Sequence, residues 1–187
     1  GRIITWYRKQ NHPRCTLHQN GLLWVDGTQR PATWMNATIN GWPIVPRTGY
    51  VVEINALWYN AMRFTAEMLR EMGKETSADL MEYQAEICKD AFVKTFWNGL
   101  YLNDYVIDNY ADREVRPNRI WAVGLPYSPL DRKQQKAVVD ICTKELLTPK
   151  GLRSLSPKSG LYHLYYGSDA AERERALLNG IVWPSTI

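Results

Sequence analysis

Phenylalanine is scarce in this 187-residue chain, three residues against eight tryptophans and eleven tyrosines. The aromatic surplus therefore lies in rings with a polar handle, which suit interiors, protein interfaces and sugar-stacking platforms alike. Cysteine is scarce too. Cys15, Cys88 and Cys142 are odd in number and widely spaced, with no CxxC pair. That argues against a disulfide framework or a zinc site and for reduced thiols in a cytoplasmic compartment. His12, His18 and His163 show no metal-ligand spacing, so neither a metal nor another cofactor is expected. The chain lacks an apolar run of 18 or more residues and a secretory leader, so no membrane association is expected. The net charge is only +4, without a Lys/Arg run interleaved with aromatics, and nucleic acid is not an expected partner.

What is present is an ordinary globular composition, 45% hydrophobic and 22% charged, in a chain long enough to bury one sizeable core. The first fifty residues are rich in breakers: Pro13, Gly21, Gly27, Pro31, Gly41, Pro43, Pro46 and Gly49. They read as a long irregular approach with short strands at 21–26 and 43–45. So long a loop is functional or disordered, and Trp24, Trp34 and Trp42 within it argue for function. From 51 to 72 the pattern turns helical. Ile54, Leu57, Trp58, Ala61, Met62, Thr65, Met68, Leu69 and Met72 follow the i, i+3, i+4, i+7 spacing, and Gly73 ends the run. A second helix is predicted from Thr76-Ser77-Ala78-Asp79, a start of the capping-box type. It carries Leu80, Gln84, Ile87, Cys88, Ala91, Phe92 and Thr95 inward and stops at Asn98-Gly99.

The arrangement then recurs. A breaker-rich stretch over 100–116 leads to Pro117, placed for the first position of a short apolar helix over 119–125. Ser128-Pro129-Leu130-Asp131 opens an amphipathic helix that buries Ala137, Val138, Ile141, Cys142 and Leu146. A third approach over 151–167 precedes a polar helix over 169–178, and Trp183-Pro184 reads as the start of another buried helix. The expected fold is all-α: a partial toroid of alternating inner and outer helices, whose long loops converge on one pocket.

Candidate chemistry concentrates ahead of the 51–72 helix. Thr33-Trp34-Met35-Asn36-Ala37 offers an aromatic platform with a polar tip, and Pro46-Arg47-Thr48-Gly49 an arginine in a turn. Val52-Glu53-Ile54-Asn55-Ala56-Leu57-Trp58-Tyr59-Asn60 places a carboxylate at the start of a buried helix. Singly, each has a plain reading. Glu53 would be a first-turn acid worth ~0.3–1 kcal/mol against the helix dipole, Arg47 a solvated side chain, and the tryptophans core.

Taken together, the run from Gly21-Leu22-Leu23 through Tyr59 resembles the C-terminal α-1,6-glucosidase domain of glycogen debranching enzymes. So do Arg116-Pro117-Asn118, Gly124-Leu125-Pro126, Leu146-Leu147-Thr148-Pro149 with Gly151-Leu152-Arg153-Ser154-Leu155, and Asn179-Gly180 with Val182-Trp183-Pro184. The blocks keep the family's order and cover nearly the whole chain. The resemblance implies an (α/α)6 toroid, of which residues 1–187 would be a segment incomplete at both ends and inactive without the remainder of its toroid.

It also implies hydrolysis of the α-1,6-linked glucose stub of a branched α-glucan, with inversion. Inverting hydrolysis needs two carboxyl groups about 6.5–9.5 Å apart, one as acid and one activating water. The family's acid belongs to a Trp-Met-Asp block, and this sequence has Trp34-Met35-Asn36. An amide has no proton of suitable pKa to give the leaving oxygen, and losing general-acid help costs about 10²–10⁴-fold. Asp26 is the nearby carboxylate that could take over, and no second carboxylate is evident around Asn179-Gly180. The other matched positions imply sugar ligands: Trp34 and Trp58 as platforms, and Arg47, Glu53, Asn55, Arg116, Asn118 and Arg153 as hydrogen-bonding groups. Two readings compete with a glucosidase: a catalytically silent carbohydrate-binding toroid, supported by Asn36, and a helical-repeat scaffold for proteins. Tryptophans in a loop before a helix, not along a helix face, favour a pocket.

Overall fold

The computed structural model describes residues 2–9 and 12–183. Its helices are α1 (Arg2–Arg8), α2 (Val52–Glu71), α3 (Glu75–Phe96), a 3-10 turn η1 (Pro117–Ile120) continuing into α4 (Trp121–Gly124), α5 (Arg132–Leu146) and α6 (Ala170–Asn179). Between them lie ten short strands: β1 (Cys15–Leu17), β2 (Leu23–Val25), β3 (Thr38–Ile39), β4 (Trp42–Pro43), β5 (Gly49–Val51), β6 (Tyr105–Ile107), β7 (Tyr110–Ala111), β8 (Leu147–Thr148), β9 (Gly151–Arg153) and β10 (Val182–Trp183).

The helices arise much as the apolar period requires. In the first two turns of α2, Val52, Glu53, Asn55, Ala56, Trp58, Tyr59 and Asn60 are buried, so almost every side is covered. Further on only Met62 and Ala66 are buried, and Phe64, Met68 and Met72 face outward. Gly73, at φ 71°, stops the helix. Its N–H donates to the Arg70 carbonyl and that of Lys74 to the Leu69 carbonyl, both 2.9 Å, the paired bonds of a Schellman ending. α5 starts as expected, with the Asp131 side chain and Gln134 bonding each other's backbone N–H groups. The start of α3 does not. It begins at Glu75, with Lys74 at the cap position and no side-chain cap bond. Its buried face is Ala78, Met81, Ala85, Cys88, Phe92 and Phe96, while Leu80 and Ile87 are exposed. The fully buried Ala56 and Ala66 of α2 and Ala85 of α3 share one core. Leu22, Leu23 and Val25 join the same core. Each large side chain buried there contributes roughly 1.5–3 kcal/mol.

The all-α expectation is overturned. The breaker-rich approaches pair into three antiparallel sheets, of order β1-β2-β5-β6-β7, β10-β9-β8 and β3-β4. Two turns explain why these segments do not stay irregular. Asn40 and Gly41 both adopt positive φ, 51° and 81°, and connect Ile39 to its partner Trp42, the turn that matches the natural twist of a hairpin. Asp108, at φ 49°, opens the turn that pairs Ile107 with Tyr110. A toroid of bare helices is therefore not the architecture; the helices are set on β-sheet junctions. The helix expected to start at Trp183-Pro184 falls almost wholly outside the described residues. Trp183 pairs with Leu152 in β10–β9, and Pro184 lies outside the described residues.

Gly49 marks one tight junction of this kind. It sits at φ 113°, and a Cβ there would lie 2.3 Å from the Val106 carbonyl oxygen in the neighbouring strand. Gly49→Ala should lower stability by about 1–3 kcal/mol, because strained backbone adds to the clash. Gly41→Ala is the comparison. It has positive φ but no atom within 4 Å of its added carbon, so urea unfolding should show the smaller loss there. Equal losses would contradict the steric account.

Candidate active site

β5 runs directly into α2, and this junction builds the site. Val51 pairs with Tyr105 of β6, and the Val52 N–H extends the ladder by donating to the Asp104 carbonyl at 3.1 Å. Glu53, in the first turn of α2, is thereby brought beside Asp104, which immediately precedes β6. Arg47, in the turn before β5, lies between them. One guanidinium nitrogen, Nη2, donates to Glu53 Oε2 at 2.7 Å, and Nη1 to Oε1. Nε forms a 2.8 Å ion pair with Asp104 Oδ2, without hydrogen-bond alignment. All three side chains are almost wholly inaccessible to water.

η1 brings Asn118 to the same cluster. Its amide donates to Asp104 Oδ1 at 2.7 Å and accepts from the Trp34 indole N–H at 2.9 Å. An unbroken polar chain therefore runs from Glu53 through Arg47, Asp104 and Asn118 to Trp34.

Both ends of this chain open on one cavity of about 570 Å³. Its wall is largely apolar, with Trp34, Trp121 and Trp183 joined by Ile54, Leu57 and Leu152. Trp34 and Trp183 meet edge to face, ring centres 5.5 Å apart. Glu53 and Asn118 supply the polar groups. A size and lining of this kind suit a small ligand with apolar faces and a few hydroxyls. Burial, with Asp104 adding to it, holds the Glu53 carboxyl above its ordinary range despite Arg47, whose attraction works against both. For Arg47, burial is outweighed by Asp104 and then Glu53, so its charge is held firmly. Among the described residues, no group of His, Cys, Asp and Glu is arranged to hold a metal ion.

The chain matches the amylo-alpha-1,6-glucosidase family model over residues 2–187. It belongs to that family. No curated protein matches it.

Of the positions matched to the family in sequence, the structure gathers Trp34, Arg47, Glu53 and Asn118 at the cavity or directly behind it. The others lie elsewhere. Asn36 is exposed and does not line the cavity, although burial alternates along Trp34, Met35, Asn36 and Ala37 and sets Trp34 and Asn36 outward. Asn55 is fully buried, its amide spent on the Leu23 N–H and carbonyl and the Val51 carbonyl. It ties β2 to the start of α2. Trp58 is core, with its indole N–H donating to the Gly21 carbonyl at 3.1 Å. Arg116 is buried and bonds the carbonyls of Leu178 and Ser154 and the side chain of Asn179, joining α6 and β9 to η1. Burial pushes its pKa down. Arg153 is half-buried in β9 and outside the cavity lining.

Asp26 does not suit the part of a substitute acid. The Thr28 backbone N–H and hydroxyl hold its carboxyl below the usual range, and it does not line the cavity. A general acid needs the opposite shift. Asp104 and Trp121 were not singled out in the sequence. Trp121 stands in the short helix that was, and Asp104 reaches the site only through strand register.

Proposed function

We propose that the chain forms the sugar-binding wall of a glycoside hydrolase of the glycogen-debranching type, one that releases α-1,6-linked glucose from a branched α-glucan with inversion. The observation that carries this reading is the cavity itself: three indole rings around Glu53 and Asn118, both fixed by the buried Arg47 and Asp104. A sugar's CH face packs on a flat indole while its hydroxyls meet the polar groups. Family membership supports the reaction class. The same proposal places the protein in a reducing, cytoplasmic compartment, supported by Cys15, Cys88 and Cys142 being free and buried.

By itself this chain should release no glucose. The family's acid position is the amide Asn36, and Glu53, the only carboxylate lining the cavity among the described residues, is engaged bidentately by Arg47. Binding without turnover is thus a distinct second reading, and Asn36 favours it.

Titration with α-1,6- and α-1,4-linked glucose oligosaccharides, followed by tryptophan fluorescence, tests the pocket. Trp34→Ala should weaken binding about tenfold, since one ring face at about 25 cal/mol per Å² is worth on the order of 1–2 kcal/mol. No binding by the parent chain, or unaltered binding by Trp34→Ala, would remove the sugar pocket. Glucose release by the purified chain would overturn the expected inactivity.

A further inference from the structure

Asp104 does not line the cavity and is fully buried, yet both of its carboxylate oxygens hold groups that reach it. Oδ1 accepts from the Asn118 amide, and Oδ2 faces Arg47 Nε. We propose that Asp104 is the positioning residue of this site, setting the Trp34 ring through Asn118 and the Glu53 carboxylate through Arg47. Its consequence for sugar binding rests on the pocket reading above; its geometry does not.

The chemistry of the donors carries the argument. An amide side chain has two distinct ends, and only hydrogen bonding decides which way it turns. Asp104 offers Asn118 nothing but an acceptor, so the Asn118 NH2 must point to it. The Asn118 oxygen is then left facing Trp34, the one arrangement that receives an indole N–H. Asp104 thereby fixes the ring's orientation at the rim. On the other side, the guanidinium is a rigid planar fork. With Nε held by Asp104, and Nη2 also 3.3 Å from the Asp104 carbonyl, the remaining edge is presented squarely to both oxygens of Glu53. Only a carboxylate can serve both arms. An asparagine at this position would have to aim its NH2 at either the Asn118 NH2 or Arg47 Nε–H, donor against donor.

The test is Asp104→Asn, read by the indole N–H resonances and by oligosaccharide titration. The Trp34 indole resonance should move, and affinity should fall by about 10- to 100-fold, the size of one lost charge-assisted hydrogen bond. Asp112→Asn is the comparison. Asp112 is a buried neighbour whose side chain caps the Glu114 N–H and bonds neither Arg47 nor Asn118. It should lower melting temperature and leave both the Trp34 resonance and affinity in place. A merely structural Asp104 would behave like it. An unmoved Trp34 resonance in folded Asp104→Asn overturns the proposal. If the resonance moves but the parent chain binds no glucan, the positioning role stands and the sugar-pocket reading fails.

Should Asp104→Asn not fold, the exchange Asp104→Asn with Asn118→Asp keeps the cluster's net charge. The carboxylate then standing on η1 can accept both from the Trp34 indole and from the amide that has replaced the Asp104 carboxylate. The Trp34 resonance should then return near its parent position while affinity stays reduced, because Arg47 Nε meets a neutral amide oxygen where it had a carboxylate. Parent affinity in the exchange variant overturns the Arg47 arm.

Discussion

Asn36→Asp should raise glucose release from α-1,6 stubs by about 10²–10⁴-fold where a second carboxylate completes the site, the range over which a positioned general acid contributes. The rest of the family pattern around this position stands: Trp34 on the cavity rim, and Arg47, Glu53 and Asn118 locked together behind it. The substitution would supply the proton donor that this pattern lacks. Glu53 cannot stand in for it, since both its oxygens already accept from Arg47. The same engagement makes Glu53 a poor base, so the gain depends on another carboxylate reaching the far face of the sugar. The structure adds a pH dependence. Position 36 is exposed, so an aspartate there would start near the ordinary carboxylate value of about 3.9. Bound glucan, by excluding water, is what would lift it toward a useful range. The gain should accordingly be larger at pH 5 than at pH 7. No gain at any pH, in a variant that still binds oligosaccharide, would favour the silent-binder reading.

Which parts were legible in the sequence follows from the range of the forces involved. α2, α3, α5 and α6 were readable because an apolar stripe and a terminal signal are local, as with Gly73 and with Asp131 facing Gln134. Of the strands, only those at 21–26 and 43–45 were expected, where β2 and part of β4 lie. The other strands and the sheets they form were missed because each strand is two or three residues long, too short for alternation to register. The turn signals were nevertheless present: Asn40-Gly41 and Asp108-Asn109, each between residues such as Ile39 and Trp42 or Ile107 and Tyr110 that favour strands.

The site divides along the same line. Trp34, Arg47, Glu53 and Asn118 were found through family blocks. Asn55, Trp58 and Arg116 belong to those blocks as well, but their polar groups are taken up by backbone partners, Arg116 also by Asn179, so a block alone does not separate pocket from support. Asp104 was invisible because its part depends on Val51 lying opposite Tyr105, a long-range fact that no local pattern encodes.

Arg47→Met should be the most damaging single change for stability. It removes the only guanidinium between two carboxylates that are almost completely inaccessible to water. Breaking a buried pair costs about 3–5 kcal/mol, because a charge is left without compensation, and here there are two. The loss should depend on pH in a definite direction. Burial already holds the Glu53 carboxyl above its unfolded value in the parent chain. Such a group contributes stability that is fully present below the unfolded pKa of about 4.3 and fades as pH rises through the folded value. Removing Arg47 removes the attraction that opposes the rise, so the Glu53 carboxyl should stay protonated to higher pH. Arg47→Met should therefore approach the parent's stability near pH 4 and lose ground steadily toward pH 8. Adding Glu53→Gln should recover part of the loss at neutral pH and flatten the profile, because one of the two buried charges is gone. Urea unfolding of the three proteins across that range decides the matter. A deficit of Arg47→Met that does not change between pH 4 and pH 8 would mean the loss is one of packing, with the charges playing no part.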